Sequence, residues 1–301
     1  MDPAAENSRL LTQGLTPGPA ELPIIVYTPE SPLRHPGRLL RAMFRDLVAS
    51  RELAWRLFVR DLSAQYRQTY LGYLWAFLPP LVAAATFIFL QSQGIVHITG
   101  TPVPYAAFAM MGTLLWQVFV DAIQSPITAV QGAKPMLAKI NFPREAILMA
   151  GLYMVVFNFL IRLVLLAVVM AVWRVKPDIG LLLFPLAVVS LLTCGFAVGL
   201  ALLPLGALYG DVGRGMGILA QFWMLLTPVV YPASTEGVAG WLATWNPAAP
   251  VLTTAREALS GVPFTHLPAF IGISVAAAVL CFLGLLAYRL VIPILIERMG
   301  G

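Results

Sequence analysis

Charge is scarce in this chain: 11% of its 301 residues are charged and 59% are hydrophobic, with a mean hydropathy of +0.82. A soluble domain carries about 25% charged residues, so a soluble core of this composition is excluded. No Asp, Glu, Lys or Arg occurs between Arg67 and Asp121, which leaves room for two membrane crossings of about 20 residues each. Histidine is equally sparse. His35, His97 and His266 stand far apart, so neither a metal cluster nor a Ser-His-Asp arrangement can be built from them. Cys194 and Cys281 both fall within apolar runs and are expected as isolated buried thiols. No segment matches the GxxxxGK(S/T) phosphate loop. Met1 to Pro36 carries acids and seven prolines in place of the apolar run of a cleavable signal peptide.

What is present is distributed with a clear polarity. The net charge is +5, and Arg34, Arg38, Arg41, Arg45, Arg51, Arg56, Arg60 and Arg67 all precede the first apolar run. Basic residues beside a first span hold that end in the cytoplasm. The later loops repeat the bias, which places both termini inside. Anionic lipid explains such a basic segment more simply than nucleic acid does.

The expected fold class is an all-α integral membrane protein with six transmembrane helices. The spans are drawn at Tyr73–Val96, Tyr105–Val130, Ala146–Trp173, Ile179–Leu208, Gly215–Tyr231 and Leu267–Leu290. Residues 1–36 form a proline-rich cytoplasmic tail, 37–70 an amphipathic interfacial gate region, and 71–301 the transmembrane domain. In the gate region arginines gather opposite Leu40, Met43, Leu47, Leu53 and Phe58, a pattern that suits a helix lying along the inner membrane surface; the pattern allows a break near Ser50. Residues 232–266 are too polar to span and too apolar for a free loop, so short re-entrant helices are expected at the outer face.

The segment KINFPREAIL, Lys139 to Leu148, is an inside loop with a proline-broken turn. Lys139, Phe142, Pro143, Arg144 and Glu145 offer a rigid ionic knob to a cytoplasmic partner, or simply carry the usual inside charge. Asp121 and Arg162 lie within spans and have no assigned role. By helical rise Asp121 sits about 13 Å and Arg162 roughly 24 Å from the inner edge, so a direct pair is not expected and Arg162 is free to snorkel outward or line a pore. Trp75 at the inner boundary and Trp241 and Trp245 at the outer face suit either interfacial anchoring or stacking on sugars. Arg60, Tyr66, Arg67 and Tyr70, where the gate helix meets the first span, are candidates for binding a lipid phosphate and the first sugars, or only bulk anionic lipid.

Three segments together resemble the transmembrane subunits of ABC-2 type exporters that move lipid-linked polysaccharides such as O-antigens, capsules and teichoic acids. They are RDLSAQYRQTYLGYLWAFLPPL from Arg60, KINFPREAIL, and DVGRGMGILAQFWMLLTPVVYP from Asp211 followed by WNPAAPVLTTAREAL from Trp245. The resemblance covers about residue 40 to the end. It implies a permease of the cytoplasmic membrane that is not itself an enzyme and binds no cofactor. It also implies two copies working with two separate ATPase subunits that hold ATP and magnesium, and a KINFPREAIL loop seated in a cleft of the ATPase. The chain departs from the family pattern at Gly210, where a basic residue is usual, at Arg162, and in its longer tail. A membrane-embedded transferase on lipid-linked sugars and a gradient-driven transporter are the rival classes. The first would need convergent catalytic groups and the second a cluster of buried acids.

Overall fold

The computed structural model describes residues 36–66, 70, 72–95, 98, 100–137, 142–233, 240–241 and 245–299. The proline-rich tail lies outside them. The chain divides into two units, Met1–Phe44 and Arg45–Gly301. The first contributes the opening turns of α1 (Pro36–Tyr66) and the second holds the rest of α1 and every apolar helix. After α1 come a 3-10 turn (Gly72–Ala76), α2 (Leu78–Ser92), α3 (Tyr105–Leu137), α4 (Glu145–Val172), a second 3-10 turn (Ile179–Leu183), α5 (Phe184–Leu208), α6 (Asp211–Leu226), α7 (Ala248–Ser260) and α8 (Leu267–Met299). The described residues contain no strand.

Four of these runs are long and apolar enough to cross a membrane: α3, α4, Ile179–Leu208 and Leu267–Ile292. The expected first and fifth spans are shorter than drawn, and proline accounts for both. Pro79 and Pro80 occupy the first turn of α2, where the missing N–H costs nothing, so the α-helix begins at Leu78 and not at Tyr73. At the other end Thr227 is extended before Pro228, as the residue preceding proline prefers, and α6 stops at Leu226. At 15 and 16 residues, α2 and α6 are about 22–24 Å long. The expected second span errs the other way, because α3 runs on through Pro126 and Pro135 to Leu137.

Around Ser50 α1 is continuous. Its second half leans along α4: Trp55 and Phe58 meet Tyr153 at ring separations of 6.3 and 6.2 Å, and Phe58 meets Phe157 at 5.9 Å. Twelve residues earlier on each helix, Asp46 and Glu145 share the guanidinium of Arg289. Equal steps of about 18 Å on both helices keep the two partners together, so this part of α1 lies lengthwise against α4 and does not merely cross its end.

The centre of the bundle is α3, packed against α2, α4, α5, α6 and α7. Its approach to α5 is set by small residues. A side chain at Gly195 would meet the Phe119 carbonyl at 2.6 Å, and one at Gly199 would overlap the Ile123 carbonyl and meet Pro126 at 2.6 Å. Gly195 and Gly199 form a GxxxG pair, the spacing that lets two helix backbones touch where lipid supplies no hydrophobic drive. Replacing Gly199 with Leu should therefore force α3 and α5 apart and cost about 1–3 kcal/mol or more. The expected readout is a lowered unfolding midpoint in detergent with loss of a monodisperse elution peak; an unchanged midpoint would show that the contact is slack.

Candidate functional site

Along the middle of α3 the side chains left open are nearly all polar. Between Met111 and Gln131 the residues not fully buried are Gln117, Asp121, Gln124, Thr128, Ala129 and Gln131. The five polar ones are spaced by 4, 3, 4 and 3 residues and fall within a sector of about 80°. A face turned to lipid would be apolar, as are the exposed Leu160, Val164, Val168 and Val172 of α4. A polar stripe along the most enclosed helix must face water or a partner. Its C-terminal end is fixed by Gln131, whose side-chain amide donates to the Gly206 carbonyl at 2.8 Å, one of the acceptors that the end of α5 leaves unsatisfied.

Asp121 and Arg162 form a direct ion pair, which corrects the expected separation. Arg162 Nη1 donates to Asp121 Oδ2 at 2.6 Å, and Gln117 Nε2 donates to the other oxygen at 3.1 Å. The expected separation takes Val130 as the end of the span, whereas α3 continues to Leu137. Measured from the true helix ends, Asp121 lies 16 residues above Leu137 and Arg162 lies 17 above Glu145, so both stand about 24–26 Å along their helices. No sliding is needed, and Arg162 is 6% exposed and turned inward.

Beside the stripe, α1, α3 and α4 enclose a cavity of about 460 Å³, within the usual range of small-ligand pockets. Arg60, Asp61 and Gln65 of α1 stand on one wall, Asp121, Gln124, Ser125 and Thr128 on a second, and Asn158 on the third. Its charges are already matched, since Arg60 pairs with Asp61 at 2.8 Å and Asp121 with Arg162. Ser125, 6% exposed, has an Oγ without a hydrogen-bond partner. Of the candidate headgroup residues, Arg60 thus reaches a cavity, Tyr66 is the last residue of α1, Tyr70 is fully exposed, and Arg67 lies outside the described residues.

The KINFPREAIL loop divides its charged residues between two directions. Pro143 is exposed, Phe142 and Arg144 are partly buried, and Lys139 lies outside the described residues. Glu145 is buried and faces inward: its Oε1 lies 3.2 Å from Arg289 Nη1, an ion pair without the alignment of a hydrogen bond. Arg289 also pairs with Asp46, and Tyr288 donates its hydroxyl to the Arg144 carbonyl at 2.8 Å. The loop is thereby tied to both α1 and α8. The partner Arg289, more than 140 residues away in sequence, gave no signal in the motif.

At the opposite end of the bundle α7 is buried along all 13 residues. Arg256 Nη1 donates to the carbonyls of Pro228 and Val229 at 2.9 and 3.0 Å, with its guanidinium carbon 3.8 Å from the centre of the Phe108 ring. Asn246 donates to Thr227 at 2.7 Å, accepts from Trp223 at 3.1 Å and caps the start of α7 through the Ala248 N–H. Glu257 accepts from the Thr265 hydroxyl and backbone N–H. These bonds satisfy a backbone that turns without crossing. Trp75, Trp241 and Trp245 are 51%, 63% and 75% exposed and come together in no common site.

A multi-pass helical bundle with a polar face on its central helix is one form that membrane transporters take. The chain belongs to the ABC-2 type transporter family, whose model matches residues 52–260. It is similar to the O-antigen export system permease protein RfbA of Myxococcus xanthus, 27% identical over 70% of this chain and 82% of that protein. A second protein of that name, from Klebsiella pneumoniae, is 24% identical over 66% and 76%. The polysialic acid transport protein KpsM of Escherichia coli is 24% identical over 77% of this chain and 91% of its own length.

Because Arg162 is buried, removing its partner should cost far more than removing both charges. Asp121→Asn is expected to destabilise by about 3–5 kcal/mol, whereas Asp121→Asn combined with Arg162→Met should recover most of that loss. Unfolding midpoints of the single and double variants measure the coupling, and additive effects would mean that the pair contributes nothing.

Proposed function

We propose that this chain is the membrane permease of an ABC exporter that moves a lipid-linked cell-surface polysaccharide across the cytoplasmic membrane. The observation that carries this reading is the polar stripe of α3, which a single copy leaves open within an otherwise apolar bundle. A second copy related by a two-fold axis would close it into a pathway wide enough for a glycan. The names of the relatives supply the cargo, and the family supplies the energy source: two separate ATPase subunits with ATP and magnesium. Both termini are assigned to the cytoplasm, with α2 and α6 as the two short crossings that bring the four long ones to six.

The KINFPREAIL loop suits the ATPase contact, because Pro143 is presented outward while Tyr288, Arg289 and Asp46 hold the segment behind it. The second half of α1, with Arg60 and Asp61 at the cavity, suits the gate through which the lipid-linked end is admitted. The gradient-driven alternative is weaker on this geometry, since the acid it would protonate, Asp121, already holds a counter-ion.

Two substitutions separate the parts. With the ATPase co-expressed, Phe142→Ala plus Pro143→Ala should lower both ATPase capture and export by tenfold or so while the protein still inserts, a loss of about 1.4 kcal/mol. Gln124→Leu plus Thr128→Val should block export with ATPase capture intact. Normal capture in the first variant would remove the loop from the interface, and normal export in the second would remove the stripe from the pathway.

A further inference from the structure

We infer that the glycan meeting the α3 stripe and its cavity is uncharged, so that this site selects neutral sugars over acidic ones. The inference rests on the export reading above, and it separates two kinds of cargo that the relatives' names leave open. Every cation on the described surface of the site is already bound. Arg60 lies 2.8 Å from Asp61, Arg162 lies 2.6 Å from Asp121, and Arg256 is held at the outer end by two backbone carbonyls. Lys134, near the inner end of α3, is turned about 60° from Gln131 and about 100° from the middle of the stripe. What remains to face a ligand is Gln117, Gln124, Thr128 and the charge-matched carboxylates of Asp121 and Asp61.

Amides, hydroxyls and paired carboxylates match the alternating donors and acceptors of sugar hydroxyls. An anionic chain would meet amides, hydroxyls and carboxylates whose charge is already matched by Arg60 and Arg162, so the cost of stripping water from it would go uncompensated. An acidic glycan would need the opposite lining.

The test reads the cavity directly and needs neither ATPase nor export. In lipid nanodiscs, the full chain carrying Cys194→Ala, Cys281→Ala and Thr128→Cys is labelled with cationic and anionic methanethiosulfonate reagents, with Ser63→Cys on exposed α1 as the reference. Relative to that reference the anionic reagent should react no faster than the cationic one. Maltohexaose should slow labelling at Thr128→Cys at least threefold, and an oligosialate of equal length should not. Adding Gln124→Lys should make the anionic reagent the faster one and reverse the sugar preference.

Protection by the oligosialate equal to that by maltohexaose, or by neither sugar, overturns the inference, as does faster reaction with the anionic reagent. A complex that captures its ATPase and exports a polyanion would sink the neutral-glycan inference while leaving the permease reading standing.

Discussion

The close packing of α3 is the constraint on which the rest of the bundle depends. Gly195 and Gly199 bring α5 onto its backbone, Gly151 of α4 leaves room for Ser125 and Ala129, and Gly112 admits the chain at Val229. A helix held this tightly on several sides cannot rotate, because a turn of one residue would drive side chains into carbonyls. The single direction left open is therefore fixed, and the polar stripe occupies it. Small residues on the neighbours thus decide where the polar residues of α3 point.

The same principle governs the two ends. Helices of 15 and 16 residues leave backbone exposed where a full-length span would not, and a buried 13-residue helix must be joined by turns. In a bilayer each freed N–H or C=O needs an internal partner. Arg256 serves Pro228 and Val229, Asn246 serves Thr227 and Ala248, and Gln131 serves Gly206. These long polar side chains are structural first, which is why Arg256 in its buried position is not available to a ligand.

Much of this was legible from residue types. Hydropathy located α3, α4, α5 and α8, and Pro79, Pro80 and Pro228 already marked where α2 and α6 must start and stop. The error on Asp121 and Arg162 came from ending a span at Val130, since hydropathy fades at Gln131 and Lys134 while the helix continues to Leu137. The stripe from Gln117 to Gln131 had a readable 4-3-4-3 spacing, but each member alone looks like a tolerated polar residue in an apolar run. Arg289 could not be linked to Glu145 and Asp46 from sequence, because charge complementarity across such separations has many equally good solutions.

A single rigid element joins the two halves of the proposed mechanism. One end of α4 carries Glu145, tied through Arg289 to α1, and its middle carries Arg162, tied to the stripe through Asp121. Seventeen residues of uninterrupted helix without an internal proline transmit displacement with little bending over about 26 Å. A displacement at the start of α4 therefore reaches both α1 and the stripe together. An ion pair at 2.6 Å in an apolar setting loses energy steeply on separation, so the Asp121–Arg162 contact favours one register of α4 against α3. Moving α4 must then either carry α3 with it or break the pair and leave both charges without their counter-ion. The first course conserves the interaction, and the glycine contacts that lock α3 to α5 define which helices would travel with it.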